Sequence, residues 1–86
     1  MEKKNAEEIR ELVLNYVSKE FIDDDEVKID CDTPLITGGL VDSFSMITLL
    51  VYLEKKFNIK IPAYKATPEA FNSVNRITNL VSNYLN

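Results

Sequence analysis

The sequence predicts an all-α fold: a bundle of four helices with a long connection between the first and second and a short third helix. Three observations carry the expectation. Apolar residues recur with helical spacing in three separate segments, and residues suited to capping stand before each expected helix start. Period-two alternation is confined to Val27-Lys28-Ile29-Asp30, and one isolated strand has nothing to pair with. At 86 residues, 45% of them apolar, the chain suffices for one core, so residues 1–86 are expected to form a single domain.

The first helix is expected over residues 6–21. Asn5 followed by Glu8 resembles a capping box, and Ile9, Leu12, Val13, Tyr16, Val17 and Phe21 share one helical stripe. Residues 22–42 then contain Pro34, Gly38 and Gly39 with no sustained period, which reads as a connection of unusual length. Compact domains seldom keep such a segment without a functional reason, so something is expected at its end, Asp42-Ser43. Leu35 and Leu40 are its expected anchors on the core.

The second helix begins there and ends at Phe57-Asn58, where Asn can adopt the left-handed conformation that stops a helix. Thr67-Pro68-Glu69 offers a cap, a first-turn proline and a first-turn acid, so a short third helix is expected to reach about Phe71. Ser73 caps the fourth, which carries Val74, Ile77, Leu80, Val81, Tyr84 and Leu85 at helical spacing. Tyr64, Phe71 and Tyr84 read as core or boundary aromatics.

Composition excludes several classes of function. With no His and a single Cys31, neither a disulfide framework nor the usual Cys/His zinc spacings can be built. The net charge of −4 has the wrong sign for neutralising nucleic-acid phosphates and points to a basic partner surface. The first twenty residues hold no apolar run resembling a signal peptide or a membrane span, so a cytoplasmic protein without membrane insertion is expected.

The most informative string is Gly38-Gly39-Leu40-Val41-Asp42-Ser43-Phe44, in which glycines deliver a hydroxyl to the first turn of a helix. Unpaired N–H groups and the positive end of the helix dipole favour an anion there, so a phosphate ester on Ser43 would sit in a suitable field. Taken alone, the pair favours a plain helix cap by Asp42 or Ser43, which is what most Asp-Ser pairs before a helix are. A nucleophilic enzyme would need a base for the serine proton; without His, and with Asp42 adjacent in sequence, no triad can be assembled.

With four expected helices, the long connection and this string in place, the chain resembles the acyl carrier protein family, including the carrier domains of polyketide and non-ribosomal peptide assembly. The family's Asp-Ser-Leu signature matches Asp42-Ser43-Phe44, and its Phe-x-x-x-Ile-Pro motif matches Phe57 through Ile61-Pro62. The resemblance spans nearly the whole chain and implies a four-helix bundle of acyl-carrier type.

It also implies that a phosphopantetheinyl transferase attaches 4′-phosphopantetheine covalently to Ser43, with Asp42 as the flanking motif residue. The arm's thiol would hold acyl or aminoacyl groups as thioesters, supplied by a loading enzyme and passed to a downstream transferase. The protein itself would be non-catalytic and monomeric, because the reactive chemistry belongs to the prosthetic group. Two departures stand out: Phe44 replaces the usual Leu, and residues 43–57 contain only Glu54 against Lys55 and Lys56. Carriers of fatty-acid synthesis typically present several acids there, so a specialised polyketide, peptide or aminoacyl pathway is expected.

The second helix carries two apolar stripes. Met46, Leu49, Leu50, Leu53 and Phe57 form the expected core face, while Phe44, Ile47 and Val51 lie roughly 140° away. Either the third helix and the first connection cover that second stripe, the reading favoured for Ile47, or Phe44, Thr48, Val51 and Lys55 form a partner-binding patch beside the arm. The acids Glu20, Asp23, Asp24, Asp25, Glu26, Asp30 and Asp32 fail the spacing of a calcium loop and read as a solvated run. The alternative to a carrier is a small helical interaction module without a prosthetic group; a helix-turn-helix DNA binder is disfavoured because no helix has a basic face.

Overall fold

A computed structural model describes residues 6–22 and 28–85. Three α-helices form: α1 (Ala6–Phe21), α2 (Ser43–Phe57) and α3 (Val74–Ser82), with one 3-10 turn at Ala63–Lys65 and no strand among the described residues. The protein is thus all-helical, and α1 and α2 occupy the expected spans. The helix α3 is the expected fourth one, capped by the Ser73 hydroxyl, which accepts from the Arg76 N–H at 3.1 Å. It stops at Ser82, and Tyr84 and Leu85 follow in a turn, half-buried against the core. Asn5, Asp23, Asp24, Asp25, Glu26 and Val27 lie outside the described residues.

The short helix expected over 67–71 is a correction. Thr67 does act as a cap, its hydroxyl accepting from the Ala70 N–H at 3.2 Å, and the Phe71 and Asn72 N–H groups close back on Thr67, Pro68 and Glu69 carbonyls. The result is a single turn. Only three residues separate Pro68 from Asn72, and Asn72 turns both its backbone and side-chain oxygens to the first connection. A helix so short gains too few hydrogen bonds to repay nucleation, so cap chemistry at Thr67 produces a turn that goes no further.

The core follows the predicted stripes. Ile9, Val13 and Val17 of α1 meet Val74, Ile77, Leu80 and Val81 of α3, and α2 contributes Met46, Leu49, Leu53 and Phe57, all buried. Each fully buried Leu, Ile, Val or Phe side chain contributes about 1.5–3 kcal/mol through apolar burial. At the far end of α1 the Tyr16 ring stacks on Tyr52 of α2, centroids 3.6 Å apart, and meets Phe21 edge-on at 5.9 Å.

The motif Phe57 through Pro62 ends α2 and returns the chain to the core. Asn58 takes left-handed angles (φ 54°, ψ 52°), its N–H and that of Ile59 donate to the Glu54 carbonyl, and Ile61 is buried beside Phe57. The Glu54 carboxylate accepts from the Ile61 N–H at 2.9 Å. Among the aromatics, Phe71 is fully buried, but Tyr64 on the 3-10 turn is 76% exposed, against its expected boundary position. The three-residue turn buries none of its side chains, and the Tyr64 ring meets only the Lys65 ammonium, 5.8 Å from its centroid, among the ring contacts of the described residues.

Candidate functional site

Ser43 is the first residue of α2, exposed, with a hydroxyl that has no partner among the described residues. The cap is Asp42, not Ser43: its carboxylate accepts from the Ser45 N–H at 2.7 Å and its carbonyl from the Met46 N–H at 2.9 Å. The hydrogen bond from the Ser45 N–H, reinforced by contacts to the Ser45 side chain and the Phe44 N–H, holds the Asp42 carboxyl below the usual carboxylate range. The two residues therefore divide the work. Asp42 satisfies the helix end, which leaves the neighbouring hydroxyl at the positive end of the dipole with no structural task.

The segment that delivers this serine is closely tied down. Leu35 and Val41 are buried, and the Leu35 carbonyl accepts from both the Leu40 and Val41 N–H groups at 2.9 Å. Leu40 is half-buried and packs against the core as expected, and Val41, which periodicity did not single out, is buried more deeply beside it. Gly38 packs so closely on Pro34 that an added Cβ would overlap the Pro34 carbonyl oxygen, and Gly39 has φ +79°, a conformation L side chains rarely adopt.

Two asparagines that the sequence reading did not flag hold the connection to the rest of the molecule. Asn72 accepts the N–H groups of Leu35, Ile36 and Thr37, the first on its backbone carbonyl and the others on its side-chain oxygen. Asn75 donates to the Asp32 carboxylate at 2.7 Å, accepts from Arg10 of α1 at 2.8 Å, and its N–H meets the Cys31 carbonyl. The only local hint was their position flanking the Ser73 cap. Their partners lie 35 to 65 residues away in sequence, beyond the reach of any periodicity.

The second stripe of α2 is open. Phe44 is 83% exposed, Ile47 54% and Val51 43%, with Thr48 and Lys55 exposed on the same side. Coverage expected for Ile47 is absent, because the Thr67–Phe71 segment makes a turn and not a helix long enough to lie across it. Lys55 and Lys56 are exposed, whereas Glu54 is half-buried and bonded to the Ile61 N–H.

Acids of the first connection have structural work. The Asp30 carboxylate accepts from the Asp32 N–H at 2.8 Å and from the Thr33 hydroxyl at 3.0 Å, which lowers its pKa and closes a turn. Among the described residues no group of three or more Cys, Asp or Glu side chains gathers to hold a metal. No helix there is long and apolar enough to cross a membrane.

The helical body presents an unpartnered serine at a helix start, behind a tethered loop and beside an open apolar strip. Residues 11–81 match the family model described as a phosphopantetheine attachment site. The chain is 33% identical over 70 residues to a D-alanyl carrier protein of Streptococcus suis, covering 81% of this chain and 86% of the relative. It is 35% identical over 66 residues to a D-alanyl carrier protein of Bacillus subtilis, covering 77% and 85%.

The chain belongs to the phosphopantetheine-binding carrier proteins, a family of non-catalytic carriers. The chemistry brought by the covalently attached 4′-phosphopantetheine is a terminal thiol on which acyl or aminoacyl groups are held as thioesters. The alternative of an interaction module without a prosthetic group gives way to this match.

Proposed function

We propose that Ser43 carries the arm, that a phosphopantetheinyl transferase installs it, and that the cargo is an amino acid activated by an adenylating enzyme. The observation that carries the attachment site is the exposed, unpartnered Ser43 hydroxyl at the first position of α2, with Asp42 relieving it of the capping role. The D-alanyl carriers among the relatives support an aminoacyl cargo, with D-alanine the first candidate. Residues 1–86 then act as a single carrier domain, cytoplasmic and monomeric. The Thr67–Phe71 turn takes the place of the short third helix in the family's four-helix plan, at the end of the bundle reached by the long connection.

Partner enzymes meet the carrier on Phe44, Thr48, Val51 and Lys55. This reading is supported by the exposure of the strip and by its start at the serine itself. Net charge alone pointed to a basic partner surface, but the acids concentrate on α1 and the first connection while the strip ends in lysine. Apolar contact beside the arm is therefore the main attraction.

Intact mass tests the attachment site. Incubation of the apo-protein with coenzyme A and a broad-specificity phosphopantetheinyl transferase should add one phosphopantetheine to the wild type and none to Ser43→Ala, with the variant's helicity unchanged. An arm on Ser43→Ala would place the site elsewhere. Adenylating enzymes specific for D-alanine, for L-amino acids and for fatty acids, offered to the holo-protein in parallel, decide the cargo.

A further inference from the structure

We infer that Asn72 is a positioning residue for the carrier's modification: its side-chain amide sets the loop that presents Ser43. This rests on the reading of Ser43 as the attachment site. Asn72 lies 29 positions further along the chain, in the turn before α3, and its side-chain hydrogen bonds go to Ile36 and Thr37, not to Ser43.

The geometry is a three-point grip. The Leu35 N–H donates to the Asn72 backbone carbonyl at 2.7 Å, and the Ile36 and Thr37 N–H groups donate to its Oδ1 at 2.9 and 3.0 Å. The Thr37 hydroxyl closes the arrangement, 3.3 Å from Nδ2 and 3.4 Å from Oδ1. Two converging N–H donors fix which way round the amide stands, since only its oxygen can accept them. Three successive N–H groups of the loop are thus spent on one residue.

What lies downstream depends on that grip. With Leu35 held, its carbonyl accepts from the Leu40 and Val41 N–H groups, the Ile36 carbonyl accepts from Gly39, and the chain leaves the loop at Val41 directly into the cap Asp42 and then Ser43. Apolar burial of Leu35 and Val41 fixes where the loop sits. It does not fix the turn between them, because a side chain in a pocket leaves the peptide planes free to rotate. Asn72 supplies this directional restraint, and it is built into the turn leading to α3, which packs on α1. Asn75 ties the earlier residues Cys31 and Asp32 to the body, and the Ile36–Thr37 part of the loop is oriented by the Asn72 side-chain amide.

Loosening it should leave the serine chemically intact but less often in the orientation a modifying enzyme can engage. A smaller competent fraction raises the apparent dissociation constant in proportion and leaves the turnover of bound carrier unchanged. Loss of two acceptor contacts predicts a rise in KM for the apo-carrier of about fivefold to thirtyfold in Asn72→Ala, with kcat within about twofold. Asn72→Asp keeps an acceptor oxygen for both N–H groups and should return KM close to the wild-type value.

The experiment is steady-state phosphopantetheinylation by a broad-specificity transferase with coenzyme A, well below each variant's Tm, for wild type, Asn72→Ala, Asn72→Asp, Asn72→Gln and Val13→Ala. Val13 is buried in α1, outside the loop, and Val13→Ala serves as a destabilised control. Amide hydrogen exchange follows Ile36 and Thr37. A KM rise in the Ala and Gln variants, rescue by Asp, no KM rise in Val13→Ala and faster exchange at Ile36 and Thr37 support the assignment. Wild-type KM in Asn72→Ala overturns it, as does an equal KM rise in Val13→Ala. Should Asn72→Ala fail to fold, Asn72→Gln decides by the same criteria. An unmodified Ser43 in the wild type marks instead the failure of the attachment-site reading, which the Ser43→Ala arm identifies separately.

Discussion

The two faces of α2 are written in nearly the same alphabet and have opposite fates. On one, Met46, Leu49, Leu53 and Phe57 are buried against α1 and α3; on the other, Phe44, Ile47 and Val51 stand in solvent. Nothing in residue type separates the stripes. What separates them is supply: three helices and a turn provide enough apolar surface to cover one face of α2. An apolar stripe that the fold does not cover is open to other contacts, and here it begins beside Ser43, the proposed attachment residue.

Truncation on each face breaks that comparison most sharply. Leu53→Ala should cost about 2–5 kcal/mol of stability, because the removed side chain is fully buried and leaves a cavity. Denaturant unfolding checks it, and a domain this small has little stability to spare. Val51→Asp should change stability by less than about 0.5 kcal/mol, as exposed substitutions usually do. Its effect should fall on function, with kcat/KM for aminoacyl loading of the holo-carrier dropping about tenfold or more. Unchanged loading by a folded Val51→Asp would remove the strip from the partner interface.

Between the faces sits Glu54, which sharpens the contrast with its neighbour Lys55. Glu54→Ala should cost about 1 kcal/mol, since the Ile61 N–H that it accepts is left without a partner. Lys55→Ala should leave stability unchanged and weaken loading only modestly, as a charge at the rim of a contact does. The measurement is a pair of thermal melts beside a pair of loading assays, and equal stability losses would mean Lys55 serves the fold.

Which parts were legible in the sequence follows the same physical division. The spans of α1 and α2, a cap at Asp42 or Ser43 and the left-handed Asn58 were readable because each is set by residues within a turn of one another; the structure assigns the cap to Asp42. Ser43 stood out for the same reason, its glycines and acid being adjacent. The turn at Thr67–Phe71 misled because its cap signals are real, while the segment is too short to repay helix nucleation and Asn72 at its end is bonded to the first connection. Ile47 and Tyr64 misled because periodicity says which residues share a face and not whether anything lies opposite. Asn72 and Asn75 were invisible, since a side chain that bonds to groups 35 or more residues away leaves no local pattern.

The smallest expected effect concerns the start of the open face, where Asp42 caps the helix that Ser43 begins. Its carboxyl is held below the ordinary range in the folded protein, mainly by the Ser45 N–H, so the folded state binds that proton less readily than the unfolded chain does. A depressed carboxyl contributes stability above its unfolded value, about 3.9, and loses it as pH falls from there through the lower folded value. Asp30 has the same sign through its Asp32 and Thr33 partners. Stability should therefore be level between neutrality and about pH 5 as far as these two groups are concerned, and decline below about pH 4. Asp42→Asn keeps a capping oxygen, so it should cost little at neutral pH while making the acid decline shallower. An Asp42→Asn variant with an acid limb as steep as the wild type would assign that limb to other carboxylates, and would leave the cap at the site a matter of hydrogen-bond geometry without a contribution from charge.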